Sequence, residues 1–73
     1  MYRAILLNDP HAAVDRSRVE YEAGTARDAF NLAMTEAMTR WGDRVTLGGD
    51  PNAYPYQNDI LRDGDLVGWV EAL

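Results

Sequence analysis

The chain has 73 residues, 47% of them apolar, a net charge of −5 and no cysteine. That length allows one small domain, with a thin core that buries roughly 60% of the unfolded surface. The missing cysteine excludes a disulfide framework, a thiolate zinc site and a cysteine nucleophile. The acidic balance disfavours nucleic-acid binding that rests on phosphate neutralisation.

All the basic residues are arginine, at 3, 16, 18, 27, 40, 44 and 62, and there is no lysine. Schiff-base chemistry on a lysine is therefore excluded, as is a side-chain isopeptide acceptor. Arg, Ala, Gly and Asp together point to a GC-rich coding genome. No apolar run is long enough to span a membrane. The opening stretch Met1 to Leu7 meets Asn8-Asp9-Pro10 too soon for a signal peptide, and a cytoplasmic protein is expected.

Tyr2 to Leu7 reads as a first strand, stopped by Asn8-Asp9-Pro10. His11 to Ser17 reads as a polar loop. Arg18-Val19-Glu20-Tyr21-Glu22-Ala23 alternates strictly, with Val19, Tyr21 and Ala23 on one face and the charged residues on the other. The two strands form a hairpin. Gly24 ends it and Thr25 caps a helix, with Asp28 three residues on in a variant of the capping box. At helical spacing Ala26, Ala29, Phe30, Ala33, Met34, Ala37 and Trp41 share the buried face. Leu32 falls on the polar side as a lone exposed leucine. Gly42 is the stop signal.

Arg44 to Leu47 predicts a short third strand, and Gly48-Gly49-Asp50-Pro51-Asn52 a turn. Ala53 to Gln57 reads as irregular, because Pro55 opposes a central strand. Ile60 and Leu61 form a short apolar contact, Arg62-Asp63-Gly64-Asp65 a turn, and Leu66 to Leu73 the last strand. No repeat or linker interrupts this order. It predicts an α+β domain with a mixed sheet of four or five strands packed on one helix.

Titratable groups give little catalytic chemistry. Asp9, His11 and Asp15 share one loop, but no ligand spacing supports a metal site there. His11 and Ser17, the single histidine and the single serine, lie in the same loop, a poor platform for a nucleophile and base. Asp63 and Asp65 lack the further ligands of a calcium loop. No phosphate-binding glycine loop is present. No catalytic residue, cofactor or metal is expected.

The element order and the segment Ile60-Leu61-Arg62-Asp63-Gly64-Asp65-Leu66-Val67 resemble the ubiquitin-like β-grasp superfamily, which includes ubiquitin and the molybdopterin and thiamine sulfur carriers. Those carriers commonly enter the last strand through a similar Gly-Asp turn flanked by apolar residues. The resemblance implies a last strand beside the first, and the two intervening crossovers imply that these pair in parallel. The chain departs from the family at its end, Val70-Glu71-Ala72-Leu73, with no Gly-Gly tail; Gly48-Gly49 is internal. Conjugation and sulfur transfer are therefore not implied, and a scaffold alone does not fix function.

Two surfaces are candidates for protein binding. If the helix covers Tyr2, Ala4, Leu6, Val67 and Trp69, then Ile5, Leu7, Leu66 and Val70 form one exposed patch. Tyr54 and Tyr56, around Pro55, offer a second contact surface or a filler for the bottom of the core. The expected function is a non-enzymatic protein-interaction module: an adaptor, an inhibitor or a small phage protein acting on a host factor. A partner protein is implied, or a second copy in a homodimer, but no nucleic acid and no membrane. The alternative is a relative of the sulfur carriers or ubiquitin-like modifiers that lacks the reactive tail.

Overall fold

The computed structural model describes residues 1–9, 18–50 and 57–73. Among these residues the strands are β1 (Tyr2–Leu6), β2 (Val19–Ala23), β3 (Val45–Asp50), β4 (Gln57–Arg62) and β5 (Asp65–Ala72), and the one α-helix is α1 (Ala26–Trp41). A 3-10 turn, Gly42–Arg44, leads from α1 into β3. The sheet runs in the order β2-β1-β5-β4-β3, and every neighbouring pair is antiparallel. This is the α+β architecture expected, with five strands on one helix.

The parallel pairing of first and last strands is corrected: β1 and β5 are antiparallel, so the sheet is not mixed. The reason is a strand that the sequence hides. Gln57–Arg62 is a full strand rather than an apolar contact before a turn. It adds one more reversal between β1 and β5. The chain now turns back at β1–β2, β3–β4 and β4–β5, while α1 returns it without a net change of direction. An odd number of reversals leaves the ends of the sheet's central pair antiparallel. Gly48, Gly49 and Asp50 likewise lie within β3 rather than in a turn.

The helix forms where its signals stand. Thr25 is extended, and its Oγ1 accepts from the Asp28 N–H at 3.1 Å, a cap that satisfies one of the free donors of the first turn. Gly42 ends the helix at φ 57°, where its N–H bonds the Met38 carbonyl. Sixteen residues give a rod of about 24 Å, close to the 26 × 24 × 21 Å extents of the whole domain. α1 can therefore carry the chain from the β2 edge of the sheet to the β3 edge in one pass.

Ala26, Ala29, Phe30, Ala33 and Ala37 are buried on the helix. They meet Ala4, Leu6, Val45, Ile60, Val67 and Val70 from the sheet, with Tyr2, Tyr21, Ala23, Met34 and Trp41 packed around them. Alanines let the helix lie close to the sheet, and Phe30 fills the space between. Leu32 is exposed, as its position on the wet side requires. No helix among the described residues is long and apolar enough to cross a membrane.

Arginines clasp the end of α1 to the sheet. Arg40 bonds Glu36 at 2.8 Å and the Asn8 side chain. Arg62, on β4, donates to the Asn8 carbonyl at 3.4 Å and lies 5.0 Å from the centre of the Trp41 ring. At the β4–β5 hairpin, Asp63 and Gly64 both take positive φ, 53° and 86°. That is the pattern of a two-residue type I′ turn, which Asp-Gly favours. Arg44 braces it: its guanidinium bonds both Asp63 carboxylate oxygens, and its carbonyl accepts the Asp63 N–H at 3.1 Å.

Candidate interaction surface

One face of the sheet is taken by α1. Strand alternation and register give the composition of the other. Ala4 and Leu6 belong to the helix-side core, so Arg3 and Ile5 point away from it. Opposite them stand Glu22 and Glu20 on β2, and Glu71 and Trp69 on β5. On β4, Ile60 faces the helix, so Leu61 faces away, paired with Leu66 of β5 and Thr46 of β3.

A β-bulge sets the chemistry of this face. Ile60 pairs with Gly68 and Leu61 with Leu66, which leaves Val67 as one extra residue on β5. In a regular strand Val67 and Val70 would point to opposite faces. Both lie in the helix-side core, because the bulge shifts the alternation by one. Trp69 is thereby turned to the helix-free face, where its Nε1 donates to Glu71 Oε1 at 3.1 Å.

The four residues expected as one exposed patch are thus divided. Leu66 is exposed, at 45%. Leu7, just past β1, is half-buried, and its N–H bonds the Val67 carbonyl at 2.7 Å. Ile5 is on the expected face but is 1% exposed, buried rather than presented. Val70 is corrected outright: it is a core residue, 8% exposed, packed on the helix side. Trp69 is corrected in the reverse sense, from core to the open face. Tyr54, Tyr56, His11, Asp15 and Ser17 lie outside the described residues.

The helix-free face therefore has two halves. One is apolar: exposed Leu66, half-buried Leu61 and half-buried Trp69. Leu61 spreads over Gly48, where a Cβ would stand only 3.1 Å from Leu61 Cδ1. The other half is a charged lattice. Arg3 lies 3.9 Å from both Glu20 and Glu22, and Arg18 pairs with Glu20 at 2.9 Å. Arg3 Nε is buried without a hydrogen-bond partner. Partly exposed pairs as long as 3.9 Å contribute little to stability, but they present a defined pattern of charge. Sequence reasoning missed Leu61 and Trp69. Leu61 was recoverable from its alternation with Ile60; Trp69 depended on the bulge, whose one sequence signal is Gly68 inside the strand.

A second surface runs along α1, an open groove lined by Asn31, Met34, Thr35, Met38 and Thr39. The hydroxyls of Thr35 and Thr39 bond the carbonyls of Asn31 and Thr35 at 2.8 and 2.9 Å. Among the described residues its lining holds no titratable group. Among the described residues no cluster of acidic or histidine side chains has the grouping of a metal site. Among the described residues Arg44 is raised and Asp63 lowered, each chiefly by their mutual hydrogen bond at the exposed hairpin. That pair braces a turn. Comparison of the chain with protein-family models, curated proteins and solved structures gives no match.

Proposed function

We propose that this protein is a small, non-catalytic binding module that docks a partner protein on its helix-free sheet face. The observation that carries the reading is the exposed Leu66 beside Leu61 and Trp69, flanked by the Arg3–Glu20–Glu22 lattice. An apolar centre with an aromatic and a charged border is how protein interfaces are composed. The apolar half supplies affinity, and the charged half selects the partner and its orientation. The scaffold shares with the β-grasp an N-terminal hairpin, a helix across one face and a last strand beside the first. It differs in the antiparallel sense of that last pairing. The partner is acted on by contact alone, in the cytoplasm, as by an adaptor, an inhibitor or a small phage protein directed at a host factor.

Leu66→Asp tests this. Burying a leucine contributes ~1.5–3 kcal/mol, so its replacement by a charge costs about tenfold or more in affinity. Tagged wild type and variant are used in parallel to capture partners from the native lysate, and the captured protein is titrated against both. The variant should fold normally, because the side chain is already wet, and should lose the partner. A folded variant that keeps full affinity places the binding surface elsewhere.

A further inference from the structure

The two edges of the sheet are finished differently. On the β2 edge, Arg18, Glu20 and Glu22 set charges along the strand and its approach, a common guard against pairing with another chain. On the β3 edge the charges stand only at the ends, Arg44 just before the strand and Asp50 as its last residue. Val45-Thr46-Leu47-Gly48-Gly49 carries no charge and no proline. Among the described residues no strand lies beyond it. Leu47 stands in the middle of this edge, 54% exposed. It pairs with Ile60 and so belongs to the helix side of the sheet, not to the face around Leu66.

We propose that β3 pairs antiparallel with β3 of a second copy, joining two sheets into one across a twofold axis at Leu47. The occupant is argued from the strand itself. Its first half is branched, Val45-Thr46, and its second half is bare, Gly48-Gly49. An antiparallel pairing centred on Leu47 sets Val45 against Gly49 of the second copy and Thr46 against Gly48. Each β-branched residue then meets one that has no side chain of its own, Gly48 being overlain by Leu61, and Leu47 meets Leu47. A parallel pairing would set Val45 on Val45 and glycine on glycine. The strand is therefore complementary to itself in one direction only. A twofold normal to the sheet puts both helices on the same side of the joined sheet as the Leu47 pair. The area is small. A standard interface takes about 800 Å² per partner, nearly a fifth of the 4365 Å² of this domain, and one strand edge supplies less. The dimer is accordingly weak, with a dissociation constant in the micromolar range or above.

The absence of cysteine gives a clean probe. Paired Cα atoms in an antiparallel ladder lie about 4.5–5.5 Å apart, within disulfide reach. Leu47→Cys, at an exposed position, should oxidise rapidly to a covalent dimer. Leu66→Cys, also exposed but on the other face, should do so only slowly. In sedimentation equilibrium the wild type should show dimer at high concentration, and Leu47→Lys should stay monomeric. Leu66→Asp should still dimerise, which separates this proposal from partner binding at the open face. Equal oxidation of the two cysteine variants would overturn the proposal. So would a wild type that stays monomeric at about 1 mM, or a Leu47→Lys that dimerises like the wild type. Mixed isotope labelling of the unmodified chain reads the same joint without any substitution: a Leu47–Leu47 contact between copies supports it, and contacts elsewhere refute it.

Discussion

Gly68→Ala should destabilise the domain although it adds a single methyl. Gly68 sits beside the bulge, between β1 and β4. A Cβ there would stand 3.0 Å from the Ile5 carbonyl oxygen and 3.1 and 3.2 Å from Ile60 Cδ1 and Cβ. The carbonyl cannot retreat without pulling on the central β1–β5 ladder, and Ile60, 1% exposed, is held within the core. Overpacking of this kind costs about 1–3 kcal/mol. Alanine in place of glycine offsets about 0.4–1 kcal/mol by restricting the unfolded chain. The net loss is therefore about 1–2 kcal/mol, which lowers Tm by roughly 5–15 °C in a domain of this size. Gly24→Ala is the control, since nothing lies within 4 Å of a Cβ there. Thermal unfolding followed by circular dichroism compares the two variants. A Gly68→Ala no less stable than Gly24→Ala would refute the packing argument.

Gly64→Ala tests the hairpin. At φ 86° an alanine pays the left-handed penalty, so about 1–2 kcal/mol of stability should be lost, read as a shift in the urea midpoint; no shift would mean that the turn is not type I′ in solution. Asp63 gives a pH dependence. Hydrogen bonding from Arg44 lowers its carboxyl most; desolvation opposes this, and the charges of Arg44 and Arg62 add to it. A lowered folded-state value means that the stabilisation is present above the ordinary carboxylate range and is lost as pH falls through the folded midpoint. NMR titration should find the Asp63 midpoint below that range, and Arg44→Gln should return it upward. An unchanged midpoint in that variant would show that the two side chains do not meet in solution. The energetic effect is small, because both side chains are about half exposed.

Local signals decided what could be read from the sequence. The helix was legible because three independent marks agree: Thr25 at its start, apolar residues at 3.6 spacing and Gly42 at its end. β2 was legible because one wet face enforces strict alternation. β4 was not, because Gln57-Asn58-Asp59 carries no apolar residue and only Ile60 marks its buried side. The glycines of β3 read as a turn because Gly48 makes room for Leu61, a contact that appears only when the sheet is assembled, and Gly49 takes a φ of 77°. Missing β4 carried forward: it miscounted the reversals and so inverted the direction of β5 against β1.

The open face depends on the same few residues as the core beneath it. Leu66-Val67-Gly68-Trp69-Val70 is apolar or small throughout, so alternation cannot assign its faces. The bulge assigns them instead. By admitting Val67 as an extra residue, it sends both valines into the helix side, where they are 0% and 8% exposed, and turns the indole outward. A regular β5 would bury one valine fewer on the helix side. Gly68 makes the bulge possible, because a side chain there would meet the β1 backbone. Substitutions at 67 and 68 must therefore change stability and surface together, and neither can isolate partner binding. Leu66 lies just outside the bulge, exposed and paired with Leu61. It is the position on β5 where the chemistry of the face can be altered while the core keeps its packing, which is why the binding proposal is tested there.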